Sequence, residues 1–285
     1  MKKTIVFPNN REVLNLGQGT WRMGEDESKR DAEIEALRTG IDKGLNMIDT
    51  AEMYADGKAE SIVGAAIKPY KREDLFLVSK IYPYNASKER MFDSCEQSLN
   101  RMGIDYIDLY LLHWRGDVPL QETIDCFEEL KSQGKIRDWG VSNFDLEDMK
   151  ELLSLKNGKN CQTNQLLYHL ASRGIEAVLT DYLKENNIPV MAYCPIIGQE
   201  PELRKKVNKS TVVNDIAENH GITTIQLLLA FVLQQDNMIA IPKAGSKEHV
   251  VQNIEMFDVK LSDNEMTSLN REFPVPDERE PLDVQ

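Results

Sequence analysis

The stretch Gly44–Tyr54, GLNMIDTAEMY, sets a carboxylate, Asp49, and a phenol, Tyr54, just beyond a short apolar run. Such a run reads as a strand over Asn46–Ile48, entered from a helix that ends at Gly44, so both groups stand at the strand's C-terminal mouth. Two later runs end the same way: Leu75–Lys80 closes on a lysine, and Ile107–His113 closes on a histidine followed by Trp114. A phenol, an ammonium, a carboxylate and an imidazole at one rim form a set for giving a proton to a carbonyl oxygen during its reduction. A free phenol, with a pKa near ~10, is a slow acid at neutral pH. A neighbouring Lys80 is expected to stabilise the phenolate and lower that pKa. Asp49 would hold Lys80 charged and in place, and His113 would orient the carbonyl oxygen and share in the proton transfer. Each residue alone has an ordinary reading, a solvated rim charge or a core histidine. Their conjunction at successive strand exits carries the inference.

The elements that must position these groups repeat as strand, loop, helix. Thr4–Phe7 and Glu12–Leu14 flank the turn cluster Pro8-Asn9-Asn10 and predict a small hairpin. Leu14–Gly17 is expected as the first core strand, with Gln18–Arg22 as its exit loop. The first helix is expected from Ser28, with Asp31 completing a variant capping box. Its stripe is Ile34, Leu37 and Ile41. The same period recurs in Phe92/Cys95/Leu99/Met102, Ile124/Phe127/Leu130 and Ile175/Val178/Leu179/Tyr182. Short runs that are apolar on both faces suit parallel strands covered by helices: Leu75–Val78, Ile107–Leu112, Ile136–Val141, Pro189–Tyr193 and Met238–Ile241. Strand exits then fall at Asp49, Lys80, His113, Ser142, Gln165, Tyr193 and Pro242. Every interval fits one strand–helix unit except the last, which leaves room for an inserted loop at Ile196–Ser210. With the first strand there are eight units, which means an α/β (β/α)8 TIM barrel with its site at the C-terminal strand ends. A doubly wound sheet would need a glycine where Gly17-Gln18-Gly19-Thr20-Trp21-Arg22 has Arg22. A capping box at Ser262 and Glu265 predicts one extra C-terminal helix, followed by irregular chain through Pro274, Pro276 and Pro281. No linker interrupts the pattern, so residues 1–285 are read as one domain.

With 285 residues and a net charge of −13, the chain can bury a large core but repels nucleic acid and anionic membrane. An anionic cofactor would need a locally basic pocket. Cys95, Cys126, Cys161 and Cys194 are too scattered for a zinc site or a disulfide framework. Cys95 and Cys126 fall on apolar helical positions, as core residues do. No metal is expected, since only His113 of the four histidines ends a strand, and a metal-dependent barrel hydrolase needs several such ligands. The N-terminus lacks a signal-peptide core and no apolar run reaches ~20 residues, so a cytoplasmic monomer is expected.

The segments IDTAEMY, VSK, LLHW, the GQGTW of Gly17–Trp21 and the GVSNF of Gly140–Phe144 resemble the aldo-keto reductases over essentially the whole chain. The resemblance implies that Asp49, Tyr54, Lys80 and His113 are the catalytic tetrad, with Tyr54 as general acid. It implies NADP(H) as cofactor: Ser142, Asn143 and Gln165 on the nicotinamide carboxamide, Tyr193 stacked on its ring, and Thr20 and Trp21 lining it. IPKAGSKEHVVQN is similar to the segment that grips the adenosine 2′-phosphate, which assigns Lys243, Ser246 and His249 to the phosphate and Asn253 to adenine. Two departures appear, Ala244 where many members carry a hydroxyl and His249 where many carry arginine. A neutral imidazole clamps phosphate less well than a guanidinium, which leaves room for NAD(H). Trp21, Tyr82 and Trp114 are the expected substrate walls, suited to small aldehydes and α-dicarbonyls. Among branches the chain looks most like the bacterial one that reduces methylglyoxal. The alternative within the same fold is a regulatory subunit that binds cofactor with little turnover.

Overall fold

The structure is a computed structural model and describes residues 3–198 and 200–284. Residues 1, 2, 199 and 285, which the single-domain reading includes, lie outside the described residues. Strands β1 (Thr4–Val6) and β2 (Glu12–Leu14) form the expected antiparallel hairpin. Eight parallel strands follow: β3 (Gln18–Gly19), β4 (Met47–Asp49), β5 (Phe76–Ile81), β6 (Ile107–Leu112), β7 (Ile136–Ser142), β8 (Asn164–Leu167), β9 (Val190–Tyr193) and β10 (Met238–Ala240). Each pairs with its neighbours in chain order. Parallel bridges from Leu16 to Ala240 and from Gly19 to Lys243 close the sheet into the (β/α)8 barrel.

Strand alternation explains why the site exists. Successive side chains point to opposite faces of a strand. In β5, Phe76 and Val78 join the cluster inside the barrel while Leu77 and Ile81 pack against the helices, so Lys80 faces inward. The same count turns Asp49 inward after Met47, His113 after Leu109 and Leu111, and Tyr193 after Met191. Ser142 and Gln165 sit opposite each other in register, so they share one level of the barrel. The interior below is apolar, and the hairpin seals its lower end, where Phe7 stacks on Phe76 at 5.6 Å. Each aliphatic side chain buried there contributes about 1.5–3 kcal/mol relative to exposure.

Eleven α-helices lie among the described residues. They are α1 (Arg30–Asp42), α2 (Lys58–Ile67), α3 (Met91–Met102), α4 (Leu120–Ser132), α5 (Leu146–Ser154), α6 (Leu179–Glu185), α7 (Pro201–Lys209), α8 (Thr211–His220), α9 (Thr224–Gln234), α10 (Lys247–Glu255) and α11 (Asp263–Glu272). The last is the expected extra helix, and Ser262 and Glu265 form its capping box. No single helix among the described residues is long and apolar enough to cross a membrane.

Four local expectations are corrected. The first barrel strand is Gln18–Gly19 rather than Leu14–Gly17, because Leu14 is taken by the hairpin and Leu16 makes only a bridge. The first helical turn is capped by Asp26, whose carboxylate accepts from Ser28 N at 3.0 Å, so Ser28 is inside the turn. The stripe Ile175–Tyr182 is broken: a 3-10 turn over Gly174–Ala177 precedes α6, and Val178 is exposed. The expected loop at 196–210 contains α7, whose buried residue is Val207 alone, too little apolar signal for a periodic reading.

Candidate active site

The Lys80 ammonium is fully buried and meets three oxygens: Asp49 Oδ2 at 2.7 Å, the Thr50 carbonyl at 2.8 Å and Tyr54 Oη at 3.2 Å. An ammonium has three N–H donors and no acceptor, so these contacts use all of them. The phenol oxygen therefore accepts, and its own proton is left to point elsewhere. Asp49 is 2% exposed, and its second oxygen accepts from Gln165 Nε2 at 2.8 Å. The pair is held from two strands at once. His113, 7% exposed, sets its ring edge-on to Tyr54 with centroids 5.8 Å apart. Its Nδ1 is buried with no hydrogen-bond partner among the described residues.

Burial sets the protonation of this group. It pushes the Tyr54 phenol well above 10, with Asp49 adding to the rise. The lowering expected from Lys80 is thus reversed in net direction, because desolvation of a phenolate outweighs one ammonium at 3.2 Å. Burial also pulls Lys80 below its ordinary value, although Asp49 opposes the shift. His113 lies well below 6.5, first through burial and then through the Lys80 charge, so its imidazole is neutral.

The chain after Tyr54 is strained. Ala55, Asp56 and Gly57 all take left-handed conformations, with φ of 50°, 53° and 83°. Non-glycine residues in that region cost of order 1–3 kcal/mol each and persist only where surroundings enforce them. One enforcing contact is Arg101, which packs against Gly57 and donates to Glu60 at 2.6 Å. Glu60 in turn accepts from Ser79, the neighbour of Lys80, at 2.6 Å.

Above these four side chains lies a cavity of about 280 Å³ lined in part by Trp21, Asp49, Tyr54, His113, Trp114, Ser142, Asn143, Gln165, Tyr193 and Lys243. Ser142 donates to the Gln165 carbonyl at 2.9 Å, Asn143 Nδ2 to the His113 carbonyl at 3.1 Å, and Tyr193 to Asn143 Oδ1 at 2.8 Å. These bonds fix the amide side chains before any ligand arrives. Thr20 is buried behind the wall, its hydroxyl donating to the Asp49 carbonyl at 2.9 Å. Tyr82 does not line the cavity; it is 38% exposed and stands behind Trp114, centroids 5.0 Å apart. Asn253 lines a narrow neighbouring cleft with Ala244. Ser246 caps α10, accepting from His249 N at 3.4 Å, and His249 is exposed on that first turn. Lys243 approaches Glu33 at 4.0 Å.

Sequence reasoning missed part of this wall. Arg22, Met53, Cys194, 195–198 and Arg204 also line the cavity. Arg204 projects from α7 and donates to the carbonyls of Ile197 and Gly198 at 2.8 and 3.0 Å. The one available signal was the basic run Arg204-Lys205-Lys206 inside an otherwise acidic chain.

The aldo/keto reductase family profile matches residues 15–271. The chain belongs to that family. Methylglyoxal reductase YeaE of Escherichia coli is 49% identical to it over 283 residues, 99% of each protein. Glyoxal reductase of Bacillus subtilis is 32% identical, with 98% of each covered. The crystal structure of an aldo-keto reductase from Klebsiella pneumoniae in complex with NADPH matches this family member with a TM-score of 0.96 at 50% identity, covering all of both chains.

Proposed function

We propose that this protein reduces small aldehydes and ketones, α-dicarbonyls such as methylglyoxal foremost, to alcohols with NADPH. The observation that carries this reading is the saturated Lys80 ammonium, which leaves the Tyr54 proton free to face the cavity. The names of the relatives in Escherichia coli and Bacillus subtilis favour dicarbonyls. The apolar wall of Trp21, Met53 and Trp114 suits small uncharged carbonyls.

The donor set suits an anionic dinucleotide. Arg22, Arg204 and Lys243 give the cavity rim three cations although the whole chain carries −13. When bound, NADPH supplies the hydride to the carbonyl carbon. Ser142, Asn143 and Gln165 would hold its carboxamide, Tyr193 its ring, and Lys243, Ser246 and the first turn of α10 its 2′-phosphate. Asn253 would take the adenine. His249 makes a weaker clamp than arginine, so NADH serves as a poorer substitute.

Tyr54 Oη gives its proton to the carbonyl oxygen. A phenol raised by burial is fully protonated at neutral pH and becomes a useful acid only as charge builds on that oxygen. Lys80 then stabilises the phenolate, and Asp49 and the Thr50 carbonyl keep the ammonium in place. Neutral His113 orients the carbonyl oxygen. One domain and one monomer suffice for these steps.

Tyr54→Phe tests the assignment. It should bind NADPH within about twofold of wild type and lose about 10²–10⁴-fold in kcat, the usual worth of a positioned general acid. Near wild-type turnover by this variant would end the reading.

A further inference from the structure

Glu52 takes no part in the proton-transfer array, yet its carboxylate is fully engaged two residues before Tyr54. Oε1 accepts from the Tyr82 backbone N–H at 2.7 Å and from Asn85 Nδ2 at 3.0 Å, and Oε2 accepts from the Ser94 hydroxyl on α3. Its own N–H donates to the Lys80 carbonyl at 3.3 Å. One residue therefore ties the end of β5, the 3-10 turn Pro83–Asn85 and α3 to the segment that carries Tyr54.

That turn supports the outer wall of the cavity. Tyr82 packs edge-on against Trp114 with centroids 5.0 Å apart, and Trp114 lies 5.0 Å from His113, which lies 5.8 Å from Tyr54. The rings form a continuous row from the exposed Tyr82 to the proposed acid. Gly116, two residues past Trp114, packs so close to Pro83 that a Cβ there would meet it at 2.6 Å. The Trp114 loop thus rests on the turn at two points, Tyr82 and Pro83. Among the described residues, Glu52 is the one side chain that accepts from both the Tyr82 N–H and the Asn85 amide.

We propose that Glu52 is a positioning residue for the Tyr82–Trp114 wall and thereby sets the affinity for the carbonyl substrate. The proposal rests on the reading of this cavity as a carbonyl-reductase site. Because the Glu52 carboxylate bonds only to the turn and α3 among the described residues, and to none of the side chains assigned to cofactor or proton transfer, its loss falls on substrate binding. The aromatic wall closes on the carbonyl's apolar end only when the turn beneath it is fixed.

The test uses the whole chain as Glu52→Ala, Glu52→Gln, Tyr82→Ala and the double variant Glu52→Ala/Tyr82→Ala, with NADPH and methylglyoxal. Glu52→Ala should raise KM about tenfold, the size expected for a lost charge-assisted hydrogen bond, with kcat and NADPH affinity within about threefold. Glu52→Gln keeps an acceptor for the Tyr82 N–H and should recover most of that KM. The double variant should be no worse than Tyr82→Ala, since both changes act through one wall. Equal losses in kcat and NADPH binding, or additive effects in the double variant, would overturn the proposal. A second readout needs no turnover: with 5-fluorotryptophan incorporated, Glu52→Ala should shift or broaden the ¹⁹F line of Trp114 and leave that of Trp139 in place. An unmoved Trp114 line would overturn it even if the protein reduced no carbonyl, whereas a moved line without turnover would count against the reductase reading alone.

Discussion

His113 and His169 are both buried imidazoles, and burial acts on them in the same direction. His113 lies well below 6.5, and His169, despite Asp283 nearby, is pushed down to about 4. In the unfolded chain both take up protons near 6.5, so below that pH the unfolded state binds protons that the folded state does not. Stability is therefore full above about pH 6.5 and falls as the pH drops, by up to about 3 kcal/mol for His169 alone by pH 4. His169→Asn should flatten urea midpoints measured between pH 7 and 5; a slope as steep as wild type would contradict this. His249 gives a second prediction. It is exposed beside the Ser246 cap, where His249→Arg should tighten NADPH several-fold and leave NADH unchanged in fluorescence titrations. Equal effects on both would refute the phosphate-site assignment. The inward placement of Asp49, Lys80 and His113 was legible because alternation along a strand is a local rule. The protonation of Tyr54 was not, since it is set first by burial, which only the whole fold decides, with Asp49 adding to the rise.

The left-handed run after Tyr54 is the element that carries the proposed acid onward into α2. Gly57 has a φ of 83°, and a Cβ there would meet Arg101 Cδ at 2.6 Å. Gly57→Ala should destabilise by about 2–3 kcal/mol through backbone strain and the displaced Arg101–Glu60 pair. Urea melts would measure it, and a loss below about 0.5 kcal/mol would mean that the turn adapts freely. Elements with a strong local code were readable in advance. The Ser262–Glu265 capping box marked the start of α11, and paired turn signals marked the hairpin. The start of α1 was misread because Asp26 and Ser28 both cap well, and only the fold decides that Asp26 accepts from Ser28. Helix α7 was missed for lack of an apolar stripe. It is anchored instead by the single buried Val207 and by Arg204 bonding the carbonyls of 197 and 198, contacts that leave no periodic signal.

At the scale of the molecule, the barrel separates stability from chemistry. Its lower half is closed by the hairpin and an apolar interior, while the C-terminal rim gathers groups from β4, β5, β6, β7, β8 and β9. The barrel was legible because short doubly apolar runs alternate with helical stripes, and eight such units leave few alternatives. Its closure through Leu16 and Ala240 was not, since two-residue strands carry almost no pattern. The overall charge of −13 and the three cations at the cavity rim show how an acidic molecule can still receive an anionic dinucleotide. The most direct measurement is oxidation of NADPH and NADH, followed at the nicotinamide absorbance, with methylglyoxal and a panel of simple aldehydes. The account predicts rapid consumption with methylglyoxal, faster with NADPH than with NADH. Tight NADPH binding without consumption on any carbonyl of the panel would contradict it.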